Sequence, residues 1–142
     1  MFVETSDEEH GLVVWIFTGP SNTEADYQTY CDSIERLTQL SISGWRIGIL
    51  IVDAGNPMPN ARWRREIARV STHVPGESAF ILVGSPLARG VATAVNWLRP
   101  PTYLLRTASS FEDAVKVAEE LAGRPLPRLE VLHRRARAAT QR

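Results

Sequence analysis

The chain has 142 residues, enough for one domain with a buried core, and 44% of them are hydrophobic. Its 16 Lys and Arg residues balance 16 Asp and Glu residues, so the formal net charge is zero and no specific nucleic-acid partner is expected. One cysteine, Cys31, excludes an intrachain disulfide and a cysteine-built zinc site, and no apolar run reaches the ~18 residues of a membrane span. The first residues show no basic, then apolar leader, so a cytoplasmic location with a reduced thiol is expected.

Residues 2–4 are short and extended, and the polar stretch 6–11 ends in Gly11 as a hairpin turn would. Residues 12–18 form a β-branched and aromatic run of strand length, broken by Gly19-Pro20-Ser21-Asn22. Thr23 caps the next segment with Asp26 at the capping-box position, and Tyr27, Tyr30, Cys31, Ile34 and Leu37 recur at helical spacing through Leu40. Residues 45–52 are almost unbroken apolar, as in a parallel strand covered on both faces. They run into the breaker-rich loop 53–59.

Asn60 caps a second helix that carries Trp63, Ile67 and Val70 on one side and ends at Val74-Pro75-Gly76. Residues 79–83 are a third central strand. Ser85-Pro86 reads as a cap followed by proline at the first helical position, opening a helix to about Leu98 that Arg99-Pro100-Pro101 stops. Residues 102–106 are a short strand. Ser109 or Ser110 caps the last helix, with Glu112 or Asp113 completing the box and Gly123 closing it. Residues 124–142 hold two prolines and many arginines and are expected to be a basic tail outside the 1–123 domain, partly flexible or a short helix from Glu130.

An N-terminal hairpin followed by alternating strands and helices implies an α/β fold with a mostly parallel mixed sheet flanked by helices. Parallel strands direct their carboxyl ends to one edge. Asn22, residues 53–60, residues 84–89 and residues 106–110 should gather there, where open α/β sheets bind ligands.

This layout resembles the STAS domain, the SpoIIAA-like fold of the bacterial anti-sigma-factor antagonists, and the related STAS/SEC14-like bacterial proteins. The residues that carry the resemblance are the hairpin into Val13–Gly19, Ile49-Leu50-Ile51-Val52-Asp53, the arginine-rich segment 62–69, Ile81-Leu82-Val83-Gly84-Ser85 with Arg89-Gly90, and the segment 105–115. The resemblance covers residues 2–123. It implies a non-enzymatic regulatory module acting through a protein partner. In the antagonists a Ser or Thr after the Asp-ending strand is phosphorylated. Here Asp53 is followed by Ala54, Gly55 and Asn56, with no hydroxyl until Ser71, so the phosphoswitch is not carried over.

Candidate binding residues follow from the same edge. Asp53 is a ligand- or partner-facing carboxylate, or an acceptor for the amides of the Gly55–Asn56 turn. Arg62, Arg65 and Arg69, at i, i+3 and i+7, share one helix face and form a stripe for an acidic partner or a solvated, locally paired face. Ser85 and Arg89 mark a helix start that offers amides to an anion, or only a cap. With Asp53 and Asn56 they define the alternative function, a small-ligand or anion-binding domain for a nucleotide or lipid. No cofactor, metal or catalytic constellation assembles from spacing: His10, His73 and His133 read as solvated, and neither a phosphate loop nor a G-x-S-x-G elbow is present. The four tryptophans read as core anchors, and Trp97 is the candidate among them for partial exposure. The two sheet edges offer a route to a homodimer.

Overall fold

The computed structural model describes residues 1–90 and 102–141. A five-stranded sheet runs β1 (Phe2–Asp7), β2 (Leu12–Phe17), β3 (Arg46–Val52), β4 (Ser78–Val83) and β5 (Leu104–Ala108), side by side in chain order. β1 pairs antiparallel with β2, and every later pair is parallel. The hairpin is longer than the short extended start expected: β1 reaches Asp7, and a 3-10 turn (Glu8–His10) delivers the chain to Gly11 at φ 67°. A side chain at Gly11 would be strained there and would strike Ile42. β5 begins two residues later than the expected 102–106. The helix expected after Ser85 opens as read, with residues 86–90 helical; its continuation to Leu98, its stop at Arg99–Pro101 and the placement of Trp97 lie outside the described residues.

The helices divide between the two faces. α1 (Glu24–Gln39) and α2 (Ala61–Ser71) cover one face. Their buried side chains Tyr27, Tyr30, Ile34, Trp63 and Val70 meet Val13, Trp15, Phe17 and Phe80 of the sheet. The capping signals work as read: the Thr23 hydroxyl accepts from the Asp26 amide while Asp26 accepts from the Thr23 amide, and the Asn60 side chain accepts from the Trp63 amide. All six residues of β2 are buried, because its odd and even side chains enter two different cores. Cys31 lies in the α1 core, and burial pushes its thiol up to about 11, which leaves it protonated and inert at neutral pH.

The opposite face is covered by α3 (Phe111–Ala122) and α4 (Pro127–Thr140). Here the structure departs from the expectation of a mobile tail. α4 spans 14 residues and crosses back to pack on β1 and β2. It places Leu129, Leu132 and Ala136 in the core beside Leu12, Val14 and Ile16. Pro127 opens it at a position where a missing amide costs nothing. The arginines that suggested a solvated tail occupy the outer face, with Arg134 and Arg135 exposed. The Thr5 hydroxyl donates to the Leu132 carbonyl at 2.8 Å, and Arg128 pairs with Asp7 at 3.2 Å, so α4 is pinned to β1.

Candidate functional site

The carboxyl ends of β2 to β5 and the amino end of β1 lie at one edge, because Phe2 pairs with Phe17. The Met1 ammonium donates to the Thr18 and Ser21 carbonyls, which anchors the chain start on the β2–α1 loop. The loops expected to gather at this edge do so, and two sub-sites flank the sheet there.

On the α1/α2 face, Asn22 and Asn56 form a reciprocal amide pair, each Nδ2 donating to the other's Oδ1 at 2.9 Å. Asn56 also donates to the Gly19 carbonyl, and Asn22 to the Tyr27 hydroxyl. The pair ties the β2–α1 loop to the β3–α2 loop. Beneath it Phe17, Tyr27, Leu50, Met58 and Ile67 enclose a small apolar hollow of about 60 Å³.

On the α3/α4 face lies a wider open crevice of about 460 Å³, lined by Asp53, Ser85, Ser109, Ser110, His133 and Arg137 among others. At its floor the Asp53 carboxylate accepts two hydrogen bonds from the Arg137 guanidinium, at 2.6 and 2.8 Å. This bidentate grip, aided by the Thr18 side chain, holds the Asp53 carboxyl below the usual carboxylate range. Asp53 is therefore neither a free carboxylate nor an acceptor for the turn amides. The Asn56 amide of that turn donates to the Asp53 main-chain carbonyl instead.

Ser85 caps residues 86–90, its hydroxyl accepting from the Ala88 amide, and the Arg89 amide donates to the Ser85 carbonyl. Of the two serines expected as alternatives, Ser110 is the cap of α3, its hydroxyl accepting from the Asp113 amide, while the Ser109 hydroxyl donates to the Asp113 carboxylate instead of capping the helix. Of the arginine stripe, Arg62 pairs with Glu24 at 2.8 Å, and Arg69 pairs with Glu66 and, at 3.9 Å, with Glu35. The stripe thus faces acidic groups of α1 and α2, with Arg65 exposed between them. The structure brings Asp53 and Ser85 into one crevice and puts Asn56 across the sheet from it. Arg62, Arg65 and Arg69 lie apart on α2.

Two residues of the crevice escaped the sequence reading. Arg137 stands 84 positions from Asp53, and no local signal links them. His133, expected to be solvated, is half-buried, and its ring stacks on Phe111 with centroids 3.9 Å apart. The signal available for both was the spacing of Leu126, Leu129, Leu132 and Ala136, which puts them on a helix. Among the described residues Asp7, Glu9 and His10 bring metal-type ligand atoms within 4.8 Å of one another, at the opposite end of β1. Asp7 is already engaged there by His10 and Arg128. No helix of the described residues is long and apolar enough to cross a membrane.

A hairpin-led, otherwise parallel sheet with helices on both faces and its working loops at the carboxyl edge defines a SpoIIAA-like α/β fold. The chain is similar to the crystal structure of an uncharacterized protein of the DUF3478 family from Shewanella loihica PV-4, which has that fold. The two share 12% sequence identity over 82% of this chain and 91% of the other, with a TM-score of 0.56. No protein-family model and no curated protein matches the sequence. The STAS-type architecture read from the sequence is therefore met at the level of the fold.

Proposed function

We propose that this chain is a non-enzymatic, STAS-type interaction module, without the serine phosphoswitch, whose protein partner docks on the carboxyl edge of the sheet. One observation carries the reading. Three large hydrophobic side chains are exposed among the described residues: Met1 (43%), Met58 (43%) and Leu87 (73%). All three belong to that edge, one at the start of β1, one in the loop after β3 and one just after β4. Single exposed hydrophobics are ordinary, but a set confined to one edge and rimmed by polar loops is how interfaces are built.

The test is affinity capture from native extract with the full chain and a Met58→Glu/Leu87→Glu variant. The variant should keep the wild-type unfolding midpoint and lose the specific partner. Retention of the same partner by the folded variant sinks this surface. Arg65→Glu, on α2, reports separately on the arginine face.

A second reading, a small-ligand or anion-binding domain, is favoured by the volume of the crevice beside Asp53 and Ser85. A ligand at 100 times its Kd adds about 2.7 kcal/mol of stability, so a thermal-shift screen of nucleotides, phosphates and lipids should show an upward shift in melting temperature. A flat response across the library counts against this reading. Self-association would use β1 or β5, the two edges of the sheet, and would appear in light scattering as a doubled mass.

A further inference from the structure

His133 and Arg137 sit one turn apart on the same side of α4 and make two different attachments across the crevice. The His133 ring lies nearly parallel to Phe111, at 18°, and Phe111 is the first residue of α3, where the helix presents its positive end. Arg137 grips Asp53 at the end of β3. The His133 Nε2 atom is enclosed and has no hydrogen-bond partner among the described residues. An imidazolium there would carry an N–H with nothing to receive it.

The charged groups facing His133 are Glu112 of α3, with Lys116 and Glu119 further along the same groove, Asp53 just after β3, and Glu130, Arg134 and Arg137 of α4. The carboxylates favour a proton on the ring. Burial first, then the Arg137 charge, oppose it and prevail, holding His133 below its ordinary value of 6.5.

We infer that the last two turns of α4 form an acid-released catch, held over the carboxyl-edge crevice by the His133–Phe111 stack and the Asp53–Arg137 pair. The seated ring is neutral, and the released ring takes a proton more readily. The His133 contribution is therefore complete above pH 6.5 and declines as the pH falls below it. The Asp53 contribution is present above its ordinary value of 3.8 and is lost as the pH falls through the lowered one. The catch thus loosens in two steps, the histidine first. Release lifts the small buried side chain of Ala136 and frees Asp53 and Arg137 into the crevice, while the larger Leu129 and Leu132 keep the first turns of α4 in the core.

The catch borders the proposed docking edge but does not rest on partner binding, so it is tested on the chain alone. Amide hydrogen exchange of the full chain, corrected for intrinsic rates, is followed from pH 7.5 to 5. Protection of residues 133–140 should fall several-fold while that of β3 holds. His133→Phe keeps an aromatic ring on Phe111 and removes the titration, so its protection should stay level over that range. Wild-type protection that ignores pH, or a variant that loses protection in parallel with the wild type, overturns the proposal. An NMR titration of the wild-type His133 ring gives an answer even where the variant folds poorly: a midpoint below 6.5 is required, and one at or above 6.5 overturns it.

Discussion

Removing residues 124–142 should abolish the cooperative unfolding transition. Sequence composition makes this segment look dispensable, with arginine at positions 124, 128, 134, 135, 137 and 142. In the structure Leu126, Leu129 and Leu132 are each 2% exposed or less, and they shield Leu12, Val14 and Ile16. Three fully buried leucines contribute about 5–9 kcal/mol at the usual 1.5–3 kcal/mol each. A domain of this size has a total stability of only about 5–15 kcal/mol. Truncation would also uncover one face of β2 and remove the Thr5 and Arg128 ties to β1. Urea denaturation followed by circular dichroism should show no transition for the truncated chain, and aggregation is expected from the bared face. Leu132→Ala is the graded version and should cost about 2–5 kcal/mol. Arg135→Ala, on the exposed face of the same helix, should stay within about 0.5 kcal/mol of wild type. A truncated chain that unfolds cooperatively at the full-length midpoint would show that α4 is an accessory.

The contrast between α1 and α4 explains what the sequence made legible. α1 announces itself with a capping box, Thr23 to Asp26, and with aromatic side chains at helical spacing, so both its start and its buried face could be read. α4 has no side-chain cap, and Arg128, Arg134, Arg135 and Arg137 interrupt its inward residues and dilute the apolar period. Pro127 at the first turn and the 126–129–132–136 spacing are its only signals, and the arginines outweigh them. The carboxyl edge could be placed because strand ends follow from the run of parallel strands, which put Asp53, Asn56 and Ser85 at the correct end. Their partners could not be read. Arg137 reaches Asp53, and Asn22 pairs with Asn56, only after the chain has crossed the sheet and folded back. Long-range pairing of this kind is a product of topology, and it converted Asp53 from a free carboxylate into half of an ion pair. The arginine stripe shows the same limit on a smaller scale: the Glu66 partner of Arg69 lies on α2 itself and is legible from spacing, whereas Glu24, which pairs with Arg62, and Glu35, near Arg69, lie on another helix.

Gly48→Ala should destabilise the fold by about 1–3 kcal/mol, the usual cost of overpacking a filled core. Gly48 lies in β3 between Ile47 and Ile49, and its missing side chain is where the Trp15 indole rests. A Cβ at this position would stand 2.3 and 2.5 Å from two atoms of the six-membered ring of Trp15. The ring has nowhere to retreat. Its Nε1 donates to the buried Ser33 hydroxyl at 2.8 Å, and its faces and edges meet Tyr30 and Phe80 at centroid distances of 5.2 and 5.5 Å. Replacing glycine in a strand with alanine ordinarily gains about 0.5–1 kcal/mol of backbone entropy, so a net loss here would report the clash. The effect should be coupled to its cause. Trp15→Phe removes the two clashing atoms and leaves a cavity, so alone it is also destabilising. Combined with Gly48→Ala, the added methyl partly fills that space, and the double variant should be more stable than the sum of the single losses predicts, by about 0.5–3 kcal/mol. Chemical denaturation of the four proteins closes the cycle. Strict additivity, or a neutral Gly48→Ala, would mean that β3 and the α1 core yield to each other. The aromatic cluster would then not be what fixes the position of α1 and, through Tyr27 and Asn22, of the carboxyl-edge loops.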